Sequence, residues 1–229
     1  MMKGTAYGVG VGTGDPELMT LKAVRIIREN DVIAVPGKSA KDSVAYRIAV
    51  QNVPELAGKT LLAINMPMTK DKNILSAEHK KGVELIEKYL DIGKNVVYLT
   101  LGDPTVYCSF SYLQRFLESD SYKVELVSGV TSFCAAAARS GVPLVEKDEE
   151  LHVFPNVPSK SDFNNTIGTC VIMKSGRYMS DIKSTLEYSD CKVFAVENCG
   201  MSSEKIYNNI DEIPDKTGYF SIVIAKENE

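Results

Sequence analysis

Several features that mark other classes of protein are scarce or missing in this sequence. Its 229 residues include two histidines and five scattered cysteines, with no Cys-x-x-Cys pair, which argues against a zinc centre and a disulfide framework. No apolar run approaches the roughly 18 residues of a transmembrane helix, and no signal peptide opens the chain. We therefore expect a cytoplasmic protein with reduced thiols, without a protein-bound metal and without a membrane partner.

The chain also lacks an excess of positive charge. Its formal net charge is −4 and its pI is near 5.4, so the sequence predicts no nucleic-acid partner. An acidic substrate would need a local group of basic side chains, since the overall charge does not attract it. Hydrophobic residues make up 44% and charged residues 24%, which is ordinary for a globular protein of one large or two small domains.

Two glycine-rich segments are the most informative feature that is present. Gly8–Pro16 and Leu99–Thr105 are apolar runs that each reach a Gly-Asp-Pro sequence, and open α/β sheets bind ligands where their strands end. Neither segment is a nucleotide loop. The sixth position of a Gly-x-Gly-x-x-Gly fingerprint holds Thr13, Asp15 or Glu17, and neither Gly-Lys-Ser nor Gly-Lys-Thr has the earlier glycine of a P-loop. The glycines therefore bring the backbone close to something other than a pyrophosphate.

Short apolar runs alternate with amphipathic helices from Thr5 to about Val127. This alternation predicts a parallel, doubly wound α/β sheet, which we assign to an N-terminal domain of residues 1–122. The expected strands are Ala6–Val11, Val32–Val35, Thr60–Asn65 and Val96–Leu101, and the expected helices lie near Leu18–Arg28, Ser43–Gln51, Ala77–Asp91 and Val106–Glu118.

The second half of the chain has more strands and fewer helices. It predicts a mixed sheet in a C-terminal α/β domain of residues 123–229, whose most apolar runs are typical of central strands. The expected strands are Leu151–Phe154, Thr169–Lys174, Lys192–Glu197, Glu204–Asn208 and Tyr219–Lys226.

Three blocks resemble a known family. Gly10–Ala23, Tyr98–Tyr107 and Ser128–Ala138 look like the corresponding segments of the tetrapyrrole methylases, which use S-adenosylmethionine in cobalamin and sirohaem synthesis. The resemblance runs from Gly8 to Lys226 and depends on several blocks in the right order, whereas one Gly-Asp-Pro alone would be a weak signal.

Further segments indicate a position within that family. Ser43–Ile48, Gly102–Tyr107 and Val196–Met201 are most similar to the members that methylate C20 of precorrin-2 or cobalt-precorrin-2 in cobalamin (vitamin B12) biosynthesis. The resemblance implies a homodimer of two α/β domains, with the cofactor in the cleft between the domains and a tetrapyrrole as substrate. Thr13 and Ser128 depart from the family, which usually has proline at both positions.

The resemblance also implies which residues contact S-adenosylmethionine. They come from four regions of the chain and comprise Thr13, Leu101, Gly102, Asp103, Val106, Thr131, Ser132, Met173 and Cys199.

Several of these residues have an alternative, structural interpretation. Asp103 is also a good helix N-cap before proline, and Thr131 with Ser132 is also a helix N-terminus ahead of an alanine run. Met173 is also typical of a core residue, and Cys199 of a small apolar wall.

The substrate implied by the resemblance carries eight carboxylates, which basic side chains would hold. Lys38 and Arg47 follow the second expected strand and are our candidates for this contact. The catalytic base that accepts the C20 proton is unknown. Tyr107 is a candidate, and its alternative is an aromatic side chain packed at the start of a helix.

Three other functions stay open at this point. The protein could be a methylase of the same fold that acts at another ring carbon, on ribosomal RNA or on diphthamide. It could be a nucleotide-dependent oxidoreductase, which the missing fingerprint disfavours, or a non-catalytic binding protein. Whether the substrate holds cobalt is also open, because cobalt would be bound by the pyrrole nitrogens.

Overall fold

The computed structural model describes residues 2–186 and 190–227. The chain divides into two compact units, Met1–Thr131 and Ser132–Glu229, and each is described below by itself. Within the described residues, no helix combines the length and the apolar character needed to cross a bilayer.

The first unit is built on a five-stranded sheet in the order β3-β2-β4-β1-β5. Every neighbouring pair of strands is parallel, and the central β4 is buried along its whole length. The strands are β1 (Thr5–Gly10), β2 (Val32–Pro36), β3 (Thr60–Ile64), β4 (Val96–Thr100) and β5 (Lys123–Val127).

Helices cover both faces of this sheet. Alternate strand residues point to opposite faces, so Val97 and Leu99 of β4 join one apolar cluster and Val96 and Tyr98 join another. The helices α1 and α2 pack on the first cluster, and α3 and α4 pack on the second. The four helices are α1 (Leu21–Glu29), α2 (Val44–Asn52), α3 (Lys72–Leu90) and α4 (Phe110–Ser119). The predicted parallel, doubly wound sheet is thus confirmed.

Two helices of this unit begin later than their sequence patterns predict. Asp15 caps only a short 3₁₀ turn at Pro16–Leu18, and α1 starts afterwards, where the Thr20 hydroxyl accepts the N–H of Ala23. The helix α4 begins at Phe110 instead of Val106, because the intervening residues form a loop after β4. Both delays lengthen the loops at the carboxyl edge of the sheet.

The second unit contains a mixed sheet in the order β6-β7-β10-β8-β9. Among the described strands, β6 and β7 run parallel to each other and the other pairs are antiparallel, so the predicted mixed sheet is confirmed. The strands are β6 (Leu151–Phe154), β7 (Thr169–Met173), β8 (Cys191–Glu197), β9 (Lys205–Tyr207) and β10 (Ser221–Glu227). The helices are α5 (Ser132–Ser140), α6 (Lys160–Asn164) and α7 (Met179–Leu186).

The helix α7 was not among the expected elements. It buries Met179, Ile182 and Leu186, a spacing of three and four residues that places them on one face. With Phe163 of α6, these side chains pack on an apolar cluster that includes Ile172 of β7. The helices α6 and α7 therefore cover the core of the second unit, although the strand-rich sequence pattern did not predict them.

The boundary between the units differs from the expected one near Tyr122. The segment Lys123–Val127, which the expectation assigned to the C-terminal domain, is β5 and pairs in parallel with Thr5–Val9. The chain leaves the first unit only at Thr131. The expected boundary was too early because this strand completes the first sheet.

Candidate functional site

Three loops of the first unit lie side by side at the carboxyl edge of its sheet. Because β1 lies between β4 and β5, the segments 11–16, 101–109 and 128–131 that follow these strands are neighbours. The N–H of Gly102 donates to the carbonyl oxygen of Gly12 at an N–O distance of 2.7 Å. The two Gly-Asp-Pro segments, far apart in the sequence, are thus in direct contact.

Glycines make this approach possible. A Cβ atom on Gly129 would lie 2.2 Å from the carbonyl oxygen of Gly102, and one on Gly10 would lie 2.4 Å from the same oxygen. The obstacle in both cases is backbone, which cannot rotate away as a side chain can. Gly102 itself has a φ of 66°, a conformation that side-chain-bearing residues rarely adopt. Backbone therefore packs directly on backbone at this edge, in places where side chains would otherwise stand.

Asp103 ties the second loop to the third. Its Oδ1 accepts the backbone N–H of Thr105 at 2.8 Å and the hydroxyl of the same residue, and its Oδ2 accepts the N–H of Gly129 at 3.0 Å. Burial alone would raise the pKa of Asp103, but these hydrogen bonds and one from Ser128 outweigh it and hold the pKa below its usual value. Asp103 is thus a negative charge, 8% exposed, and it caps a turn instead of a helix.

Two threonine hydroxyls at this edge have no partner. Thr13 is 8% exposed and Thr131 is half-buried. Within the described part of the chain, neither Oγ1 atom makes a hydrogen bond, although both atoms are shielded from solvent. Buried hydroxyls are normally bonded, so these two are suited to a ligand that supplies the missing partner.

The other predicted residues of the second loop are less buried. Leu101 and Val106 are half-buried, and Leu101 packs against the apolar cluster under α1 and α2. Tyr107 is 51% exposed with a φ of 46°, and it precedes α4 by three residues. The alternative of an aromatic side chain packed at a helix start is therefore wrong. Positive φ at a bulky residue stores strain, which occurs preferentially at functional sites.

The second unit places its three predicted residues at the ends of elements. Ser132 is the first residue of α5, Met173 is the last residue of β7, and the buried Cys199 follows β8 by two residues. Since β10 lies antiparallel between β7 and β8, the ends of these two strands flank its start. Met173 and Cys199 thus lie at the same edge of the sheet, one at each side of the start of β10.

A glutamate outside all predicted blocks holds the Cys199 loop. Glu204 accepts the backbone N–H of Gly200 through Oε2 at 2.6 Å and the Nε–H of Arg139 through Oε1 at 2.8 Å. Burial favours the neutral acid, but the bonds from Arg139 and Gly200 prevail and lower the pKa of Glu204. Because Arg139 belongs to α5, this glutamate connects the loop to the helix that Ser132 begins.

A second glutamate holds the loop that leads into β10. Oε1 of Glu197 accepts the N–H of Gly218 at 2.6 Å. A Cβ atom on Gly176, after β7, would lie 1.8 Å from the Gly218 carbonyl oxygen, so these two loops also meet through their backbones.

The chain matches the model of one protein family over most of its length. Residues 5–214 fit the family of Tetrapyrrole (Corrin/Porphyrin) Methylases. The chain belongs to this family. The methylase is therefore not the nucleotide-dependent oxidoreductase that the sequence left open.

Curated relatives agree with this assignment. The methylase is 35% identical to the "Probable cobalt-precorrin-2 C(20)-methyltransferase" of Methanocaldococcus jannaschii, over 96% of this chain and 95% of the relative. It is 30% identical to the "Precorrin-2 C(20)-methyltransferase" of a Sinorhizobium species, over 97% of this chain and 95% of the relative.

Solved structures share the fold. The uroporphyrin-III C-methyltransferase of Thermus thermophilus, complexed with S-adenosylhomocysteine, superimposes with a TM-score of 0.71 at 24% identity, over 98% of both chains. A cobalt precorrin-4 methyltransferase superimposes with a TM-score of 0.70 at 20% identity, over 97% of this chain and 94% of that chain.

The two basic residues predicted to hold substrate lie near the same edge of the first sheet of the methylase. Lys38 is exposed in the loop after β2, and the exposed Arg47 lies on α2 and donates to the carbonyl oxygen of Asp42 at 2.7 Å. β2 pairs with β4, so the segment that follows β2 and bears both residues starts beside the strand that leads into the second Gly-Asp-Pro loop.

Sequence reasoning missed the glutamates of the second unit. Glu204 and Arg139 are 65 positions apart, and neither belongs to a motif that sets it apart from other charged residues. Glu197 stood inside a block used for the resemblance, but nothing in that block predicted its bond to Gly218. Only the fold brings these groups together.

Proposed function

We propose that this methylase transfers a methyl group from S-adenosylmethionine to C20 of precorrin-2 or cobalt-precorrin-2 in cobalamin biosynthesis. The position on the ring is taken from the names of its relatives in Methanocaldococcus jannaschii and Sinorhizobium. The observation that supports a cofactor site is the edge of three loops, with its glycine backbone contacts, its ionised Asp103 and two buried unpartnered hydroxyls among the described residues.

The first unit supplies most of the proposed cofactor contacts. S-adenosylmethionine carries a positive sulfur, an ammonium group and a carboxylate, and when bound it supplies an electrophilic methyl group. The negative charge of Asp103 favours the positive groups, and peptide groups at Leu101 and Gly102 can reach a ligand without an intervening side chain. The hydroxyls of Thr13 and Thr131 can donate to the carboxylate or accept from the ammonium group. Val106 adds an apolar contact.

The second unit supplies three further contacts in this proposal. Ser132 offers a hydroxyl at the start of α5, and Met173 and Cys199 offer apolar surface suited to the adenosine. Glu204 fixes the loop that bears Cys199 by accepting the backbone N–H of Gly200.

For the methyl transfer itself, the residues act by alignment and by excluding water. Substitution at an electron-rich ring carbon needs a donor and an acceptor held in line, which positioned peptide groups provide without taking part in bond making. The proton that leaves C20 can pass to water or a weak base. Tyr107 is exposed enough to contact a large planar substrate, so it remains our candidate for the base that accepts this proton.

Lys38 and Arg47 are proposed to bind substrate carboxylates. Both are exposed and neither forms an ion pair among the residues that the structure describes, so their charges are available to an acidic ligand. The proposal includes a homodimer in the cytoplasm, which light scattering and cell fractionation test.

Labelled methyl transfer tests the reaction directly. S-adenosylmethionine with a ¹³C methyl group is offered with precorrin-2, with cobalt-precorrin-2 and with uroporphyrinogen III, and the product is examined by NMR. We expect label at C20 with one precorrin much faster than with the other, which identifies the natural substrate. Label at another carbon contradicts the C20 assignment and leaves the family intact. Absence of label with every acceptor contradicts the proposal.

A further inference from the structure

The first unit contains a pocket that the proposed function does not use. It has a volume of about 300 Å³ and lies between α3 and α4, on the face of the sheet opposite α1 and α2. None of the nine proposed cofactor residues lines it. Its size is at the lower end of small-molecule sites, which span about 300–1,000 Å³.

His79 is the most buried polar residue that lines this pocket. Its side chain belongs to α3 and is only 7% exposed, and its ring stacks on Tyr112 of α4 with a centroid distance of 4.9 Å and an angle of 11°. Among residues 2–186 and 190–227, no hydrogen bond reaches either ring nitrogen. Burial lowers the pKa of His79, so the ring is a neutral imidazole with one N–H donor to offer. The His79 ring nitrogens are not among the buried unpartnered polar atoms of the described residues, so they open into the pocket, where a ligand can reach them.

Two cations share the pocket with His79. Lys72 begins α3 and Arg115 lies one turn after Tyr112, and the lining contains no acidic residue. In the described part of the chain, neither cation has an ion-pair partner. Within a protein of net charge −4, this local excess of positive charge favours an anion.

The remaining walls are mainly apolar, with one hydroxyl from Ser76. Leu75 of α3 and Phe116 of α4 line the pocket, and the Tyr112 ring is half exposed. The combination of an aromatic surface, an unused N–H and two cations matches a flat ring that carries a carboxylate.

We propose that this pocket binds a small planar carboxylate. The ring lies against the aromatic wall of Tyr112 and Phe116, and the carboxylate accepts from His79 while Lys72 and Arg115 neutralise its charge. Since the site lies outside the cofactor loops, its test requires no methyl transfer.

Benzoate is a suitable probe, and the chain provides its own internal control. The protein has two histidines, and His152 lies in the second unit, where its ring is within hydrogen-bond distance of Glu150. Benzoate is titrated into protein with ¹⁵N-labelled histidine, and both rings are followed by NMR. We expect a saturable shift of the His79 resonances at millimolar benzoate, with His152 unchanged, and binding of uncharged benzamide weaker by about tenfold.

A pair of arginine variants identifies the charge. Arg115→Gln is expected to weaken benzoate binding by about tenfold, whereas Arg25→Gln, which removes an exposed ion pair with Glu29 on α1, leaves it unchanged. Equal shifts of both histidines, equal affinity for benzamide, or no shift of His79 at saturating benzoate would each overturn the site. So would His79 resonances that follow protein concentration instead of benzoate, since a second copy of the chain would then occupy the pocket.

Discussion

The two units hold their loops together in different ways. In the first, three parallel strands end at one edge, so their loops converge and touch through glycine backbones at Gly10, Gly102 and Gly129. In the second, antiparallel strands bring an end and a start to the same edge, and the carboxylates of Glu197 and Glu204 hold glycine N–H groups across the gaps. Both edges use glycine contacts and carboxylates, but in different proportions. The parallel edge has two close backbone contacts to the Gly102 carbonyl oxygen and one carboxylate, Asp103, that joins two loops, whereas the antiparallel edge has one close backbone contact, at Gly176, and two carboxylates.

This difference predicts how each edge fails. A backbone contact leaves no room for adjustment, so an added methyl group acts as an obstacle between main chains. A glutamate that holds a loop can be shortened or neutralised, and the loop then loosens while the sheet stays intact. Substitution of a glycine in a backbone contact should therefore cost far more than substitution of a glutamate that holds a loop.

The largest effect is expected from Gly129→Ala. Its new Cβ would lie 2.2 Å from the Gly102 carbonyl oxygen, which forces two loops apart. We expect a loss of at least about 2 kcal/mol in the free energy of unfolding and loss of S-adenosylmethionine binding. Urea denaturation and calorimetry measure both. In the control Gly58→Ala, the new atom meets nothing within 4 Å, and both quantities should stay near wild type.

Asp103→Asn should come next. The amide NH₂ would face the N–H of Gly129, so the bond between the second and third loops is lost, at a cost of about 1–3 kcal/mol at neutral pH. The pKa of Asp103 is lower in the folded protein than its usual 3.8, so its stabilising effect is present above that value and disappears as pH falls through the folded pKa. Urea denaturation at neutral and acidic pH should show the difference between wild type and variant shrinking below about pH 4.

The first Gly-Asp-Pro provides the control for this comparison. Asp15 accepts the N–H of Glu17 at 2.8 Å, as Asp103 accepts that of Thr105, but in the described part of the chain it makes no bond to another loop. Asp15→Asn should therefore destabilise the protein less than Asp103→Asn. Equal losses would show that the bond to Gly129 contributes little.

A smaller and more selective effect is expected from Thr131→Val. The hydroxyl has no partner among residues 2–186 and 190–227, so its removal should leave the free energy of unfolding within about 0.5 kcal/mol of wild type. If S-adenosylmethionine supplies the partner, its affinity should fall about tenfold, which calorimetry can measure. Thr169→Val is the matched control, because that hydroxyl is also buried and unpartnered but lies within β7. A loss of affinity in both variants would argue against a specific contact.

The smallest effect is expected from Glu204→Gln in the second unit. The amide can still accept from Gly200 or Arg139, but without charge, so we expect a twofold to fivefold rise in the dissociation constant of S-adenosylmethionine, on the order of 0.5–1 kcal/mol. Asp215→Asn, which removes an exposed pair with Lys183, should change nothing measurable. An effect as large as that of Gly129→Ala would contradict the contrast between the two edges.

The sequence predicted the sheet classes because periodicity is a local signal. Leu151–Phe154 has the predicted bounds, and the other predicted strands end within a few residues of the observed ones. β5 was not among the predicted strands, and the boundary placed near Tyr122 assigned its residues to the C-terminal domain. The position of β5 in the first sheet is determined by its pairing with β1, which joins residues more than a hundred positions apart in the sequence.

The candidate site divides in a similar manner. The glycines and Asp103 could be singled out because a Gly-Asp-Pro after an apolar run marks a strand end. The missing partners of Thr13 and Thr131 could not, since an unsatisfied hydroxyl is a property of the surroundings and not of the residue. The strained backbone of Tyr107 was equally invisible, because the pattern around it favoured a helix.

During synthesis, β1 leaves the ribosome long before either of its neighbours exists. Its partners are β4 and β5, so this apolar strand must wait until about residue 127 before both of its edges are covered. Strand pairings between residues this distant in sequence slow folding and prolong the exposure of apolar, aggregation-prone segments. A nascent chain stopped before β4 should therefore bind chaperones more than a longer one does. The order of the strands in the sheet thus affects the tendency of the nascent chain to aggregate.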